Sequence, residues 1–60
     1  MIIPGSFVIN PKKLSWGIGQ VQSVINERIT VNFENIGKTL INIKIIELKE
    51  VSIDYVIDNN

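Results

Sequence analysis

The sequence contains neither cysteine nor histidine. Without thiols, no disulfide or thiolate metal cage can staple the fold. Without imidazole, the chain lacks the commonest general base, metal ligand and pH switch. Alanine, the strongest helix former, is also missing. No apolar run approaches the roughly 20 residues of a membrane-spanning helix. The opening Met1-Ile2-Ile3-Pro4-Gly5 lacks the basic start and long apolar stretch of a secretory signal. Neither sign of charge dominates: six basic and six acidic residues give a net charge of zero. That balance disfavours nucleic-acid binding by phosphate neutralisation. These absences set the expectation of a cytoplasmic protein with no cofactor, no metal and no membrane partner.

What is present is stiff and apolar. The chain has 60 residues, 45% of them hydrophobic, with thirteen Ile and six Val. That length suits one domain near the lower limit for a single core. β-Branched side chains favour pleated, half-buried surfaces over helices. Turn signals recur at short intervals: Pro4-Gly5, Asn10-Pro11, Gly17 with Gly19, Asn26-Glu27 and Asn35-Ile36-Gly37. The runs between them have the length of strands. The expected strands are residues 5–10, 16–25, 28–34, 38–43 and 50–53. A single 3₁₀ turn is expected over Lys44 to Leu48, before the last strand. Five short strands close most economically as a small all-β barrel over residues 1–53, with 54–60 a frayed tail.

The clearest alternation runs from Arg28 to Glu34, with Ile29, Val31 and Phe33 on one face. A strict two-residue Asn26-Glu27 loop would set Gln22 and Gln20 against Val31 and Phe33, burying two amides. A three-residue loop, Asn26-Glu27-Arg28, or an equivalent bulge avoids this. It gives an inward set of Val21, Ile25, Ile29, Val31 and Phe33. In strand four, Thr39, Ile41 and Ile43 are expected inward. The hairpin's outward face then carries Gln20, Gln22, Arg28, Thr30, Asn32 and Glu34, a polar stripe able to meet a partner's backbone or base edges. Lys12, Lys13 and Lys38 could cluster beside it if the first loop folds over the second turn.

Trp16 reads either as an aromatic anchor for a partner or as a plug for the barrel end. Phe7 and Ile9 flank Val8; if Val8 points inward, they form an exposed apolar pair marking an interface. A cage for methylated lysine needs several converging aromatics, and too few are free. Ser6, Ser15, Ser23 and Ser52 have no histidine to activate them, and Ser23 is expected inward. No carboxylate pair has catalytic or metal-binding spacing. An enzyme is not expected.

Trp16-Gly17-Ile18-Gly19-Gln20-Val21-Gln22-Ser23-Val24, Thr30-Val31-Asn32-Phe33-Glu34 and Gly37-Lys38 together resemble a known pattern. It is that of a family of short bacterial domains of unknown function, commonest in alphaproteobacteria. That family is similar to the Tudor-like domain at the C-terminus of UvrD/PcrA-type DNA helicases. The resemblance spans residues 4–52 and implies a non-catalytic SH3-like interaction module. It also implies a protein partner from transcription or DNA repair, RNA polymerase first among them. The chain has no Gly-x-x-x-x-Gly-Lys-Ser/Thr phosphate loop, so no helicase motor accompanies the module. The partner-contacting candidates are Phe7, Trp16, Gln20, Gln22, Arg28, Thr30, Asn32, Glu34 and Lys38. The alternatives are a nucleic-acid-binding barrel and a homo-oligomer paired through the first strand.

Overall fold

The computed structural model describes residues 1–59. It contains five strands: β1 (Phe7–Ile9), β2 (Gly19–Ile25), β3 (Arg28–Phe33), β4 (Gly37–Asn42) and β5 (Lys49–Val51). A 3₁₀ turn, Leu14–Trp16, joins β1 to β2, and a helix, α1 (Ile53–Asp58), follows β5. All pairings are antiparallel, in the order β4-β3-β2-β1-β5. The outermost strands β4 and β5 are not paired with each other, so the ladder is an open sheet rather than a closed one.

Local chemistry explains the turns. Ser6 N–H donates to Ile3 C=O at 2.9 Å across Pro4-Gly5, with Gly5 at φ +93°. Proline before a positive-φ glycine is the composition of a type II turn. Asn10 is 4% exposed, and its Oδ1 accepts the Lys12 N–H at 3.0 Å, so the one buried polar residue in the described chain is satisfied. Glu34-Asn35-Ile36 join β3 to β4, with Gly37 at φ +76°. A three-residue loop ended by a left-handed glycine is the expected geometry here.

The β2–β3 hairpin departs from its expected register. Its loop has two residues, Asn26 and Glu27, with Asn26 at φ 53°. The extra residue sits inside β2, where the register shifts between Val21 and Ser23 and leaves Gln22 unpaired. A bulge therefore replaces the three-residue loop and keeps Gln20 and Gln22 out of the core. Val21 pairs with Val31, Val24 with Ile29, and Ile25 with Arg28. Ile25 accordingly faces out, 68% exposed, and the expectation that it lies in the core is corrected. Ser23, opposite Thr30, also lies on the face away from Ile29 and Val31.

The core is Val8, Val21, Ile29, Val31, Phe33 and Ile41, each 2% exposed or less. Ile2, Trp16, Val24, Ile46 and Leu48 pack against it. Gly19 lies between Val8 and Phe33 in the ladder. A Cβ there would meet Val31 Cγ1 and approach Phe33 Cδ1 to 2.7 Å, so only glycine leaves room for the ring. Two further expectations change. The 3₁₀ turn lies at Leu14–Trp16, not over Lys44 to Leu48, where Ile45 and Ile46 N–H both donate to Asn42 C=O in a plain turn. Ile43 falls beyond β4 and is 43% exposed, not inward.

The segment expected to fray holds α1. Ser52 caps it, accepting the Tyr55 N–H on its hydroxyl at 3.3 Å, and Asp54 lies in the first turn. A capping hydroxyl followed by an early acid offsets the poor helix propensity of Ile53, Val56 and Ile57. Asn60, the last residue of that expected tail, lies outside the described residues.

Candidate functional site

Residues directly opposite one another in antiparallel neighbours project to the same side. The ladder therefore sets Val51, Phe7, Gln20, Asn32 and Lys38 in one row across all five strands, on the face away from the core. At the usual strand spacing the row is about 19 Å long. Ser23, Thr30 and Leu40 form a second row, and Ile25, Arg28 and Asn42 a third. Gln20, Asn32, Lys38 and Arg28 are exposed, while Thr30 is half-buried. Gln22 is exposed beside these rows, in the bulge.

The first row borders a groove of about 380 Å³ lined by Phe7, Gln20, Asn32, Glu34 and Val56 over a floor that includes Gly19. Val56 comes from α1. Tyr55 of the same helix and Asn59, its C-cap, border a neighbouring hollow that also includes Ile9, Ile18 and Glu34. Phe7 is half-buried and Ile9 only 9% exposed. Val8 does point inward, yet the exposed Phe7–Ile9 pair does not form. The helix was unforeseen, and it stands where that pair would have met solvent.

Glu34 is the best-tethered member of the stripe. Its Oε1 accepts the Ile18 N–H at 2.8 Å, while its own N–H donates to Ile18 C=O at 3.0 Å. Asn35 continues the tie: its N–H donates to Trp16 C=O and its Nδ2 to Ser15 C=O. Gly17, at φ +81°, accepts this closeness because a Cβ would lie 2.9 Å from Glu34 Oε1. The Glu34-Asn35 turn thus holds the Trp16-Gly17-Ile18 segment against the sheet.

Trp16 does not join the outer rows. Its ring meets Phe33 edge-on, with centroids 5.2 Å apart and planes at 68°, and it packs against the core. Such an edge-on contact is a favoured geometry for aromatic pairs. Lys12 and Lys13 border a hollow with Trp16, Ile45 and Ile46, away from Lys38, so the three-lysine cluster does not assemble. Of the nine candidates, Phe7, Gln20, Asn32 and Lys38 come together in one row, with Glu34 at its margin. Arg28 and Thr30 lie further along β3, Gln22 stands in the bulge, and Trp16 is on the other side. Sequence reasoning missed Ile18, Gly19 and Val56; the signal for Val56 was Ser52 two positions before Asp54, a helix start.

Among the described residues, no group of three or more Asp or Glu is placed to hold a metal ion. No described helix is long and apolar enough to cross a membrane.

A family model described as "Protein of unknown function (DUF3553)" matches residues 2–51. The chain belongs to this family. No match was found among curated proteins or among solved structures. The matched span covers all five strands and ends before α1. The family's shared part is thus the sheet with both its faces, and the helix bordering the groove lies beyond it.

Proposed function

We propose that this chain is a non-catalytic interaction module that binds a protein partner through the outer face of its sheet. The observation carrying this reading is the Phe7–Gln20–Asn32–Lys38 row, which sets a ring, two amides and a cation side by side on four neighbouring strands. Amides on a rigid sheet can donate to and accept from an extended backbone, and a half-buried ring supplies an apolar anchor. Packing of the inner face fixes the backbone under the row, so little backbone order has to be gained on binding.

The reading extends to fold and partner. We take the sheet as an SH3-like (Tudor-like) barrel, supported by the bulge in β2. A bulge bends a strand so that it can serve two sheet halves. In β2, Gly19 and Gln20 pair with both β1 and β3, whereas Ser23 to Ile25 pair with β3 alone. The likeness to the Tudor-like domain of UvrD/PcrA-type helicases then favours a cytoplasmic partner from transcription or repair, with RNA polymerase first. Nucleic acid ranks second, because among the described residues the face offers only Arg28, Lys38 and Lys49 as cations and the net charge is zero.

Purified bacterial RNA polymerase passed over immobilised protein tests this. Wild type is expected to retain it, and the Gln20→Ala/Asn32→Ala/Lys38→Ala variant to lose it while melting normally. Equal retention by both, or none by wild type, overturns the reading.

A further inference from the structure

We infer that the groove at the Glu34 end of the outer face receives an arginine side chain from the partner; this rests on the protein-binding reading above. Among the described residues, Glu34 is the only charged one lining that groove, which also offers the Phe7 ring, the Gln20 and Asn32 amides and the Val56 side chain. The carboxylate is oriented in advance, since Oε1 already accepts the Ile18 N–H at 2.8 Å. Oε2 has no hydrogen-bond or ion-pair partner among the described residues.

Three side chains that carry acceptors thus line the groove: the Glu34 carboxylate and the Gln20 and Asn32 amides. A guanidinium matches them because it is planar and carries five N–H donors. Its flat face can lie on the Phe7 ring, and its methylene stem can cover Val56. An ammonium has three donors and no plane to stack, so lysine fits less well. The charge of the surroundings agrees. The helix beside the groove carries Asp54 and Asp58 and no basic residue. Arg28 lies at the opposite end of β3, and Lys38, opposite Asn32, stands near the Glu34 end without lining the groove. Phosphate, by contrast, would meet the carboxylate and be repelled.

The test is an NMR titration of the labelled protein at low salt with N-acetyl-arginine amide and with N-acetyl-citrulline amide, its uncharged counterpart. Saturable shifts of the Ile18 N–H and of the Gln20 and Asn32 side-chain amides are expected with the arginine probe. The citrulline probe should bind about tenfold more weakly, the difference expected for loss of one charge-assisted contact. Glu34→Gln keeps an oxygen for Ile18 N–H and should weaken the arginine probe by a similar factor. Gln20→Met is a second, independent variant with the same expected direction. Equal response to both probes, no response to arginine, or a response indifferent to both substitutions would overturn the inference. An absent arginine response together with polymerase capture that still depends on the outer row would sink this inference alone. Capture indifferent to the row would sink the broader reading.

Discussion

Strand β3 presents two faces that differ in almost every physical respect. Inward, Ile29, Val31 and Phe33 are at most 2% exposed and contact one another's neighbours through a closed apolar cluster. Outward, Arg28, Thr30 and Asn32 alternate with them and reach solvent or lie half-covered. One six-residue strand thus supplies both the stability of the domain and its candidate binding surface. The teaching is that the two should be separable by mutation. Inward changes should unfold the protein without bearing on specificity, and outward changes should alter binding without bearing on stability.

Phe33→Ala is the most severe way to probe the inner face. Truncating a buried phenylalanine costs about 3–5 kcal/mol, and a domain of this size has only about 3–9 kcal/mol in total. Urea denaturation should find the variant largely unfolded in water; a cooperative melt near wild type would contradict the assigned core. Gly19→Ala comes next, at about 1–3 kcal/mol for overpacking, because the added methyl enters the space of Val31 and Phe33. A neutral result there would mean that the ring does not lie over β2. Glu34→Ala is the one expected exception to the separation: at the margin of the outer row, it removes the acceptor for Ile18 N–H and should cost about 1 kcal/mol.

Smaller effects sharpen the contrast from the other side. Ser52→Ala removes the helix cap, worth about 0.5–2 kcal/mol to α1 itself. The global midpoint should barely move, since α1 contributes no fully buried residue. Faster amide exchange at Val56, whose N–H donates to Ser52 C=O at 3.2 Å, is the expected signature. Single Ala substitutions at Gln20, Asn32 and Lys38 should stay within about 0.5 kcal/mol of wild type in denaturation. A large loss at any of them would show that the outer face is structural, and the separation of the two faces would fail.

The strands, their approximate limits and most of the core were legible because β3 alternates without interruption and because glycine and proline mark the turns. Val21, Ile29, Val31 and Phe33 could be placed inward from parity alone. Ile25 could not. Parity demands one extra residue between Val21 and Ile29 but does not say where it goes, and the loop and the strand interior satisfy it equally. Trp16 was ambiguous because its partner, Phe33, lies seventeen positions away and no local pattern links them. The helix was missed because its propensity is poor; cap chemistry and the sheet surface beside it outweigh that preference. The outer row was only partly visible, since Phe7 and Lys38 join Gln20 and Asn32 through strand pairings that the sequence does not state.

The bulge at Gln22 also has a meaning for how this chain can change. Before it, odd-numbered residues of β2 point inward (Gly19 and Val21); after it, the even-numbered Val24 does. Gln22 is therefore the residue that the bulge absorbs, and the inner face does not depend on its identity. Almost any residue there would leave the inner face intact. Deleting it would leave a regular ladder in which Val21, Ser23, Val24 and Ile25 keep their partners Val31, Thr30, Ile29 and Arg28, so the inner face would survive and only the bend of β2 would be lost.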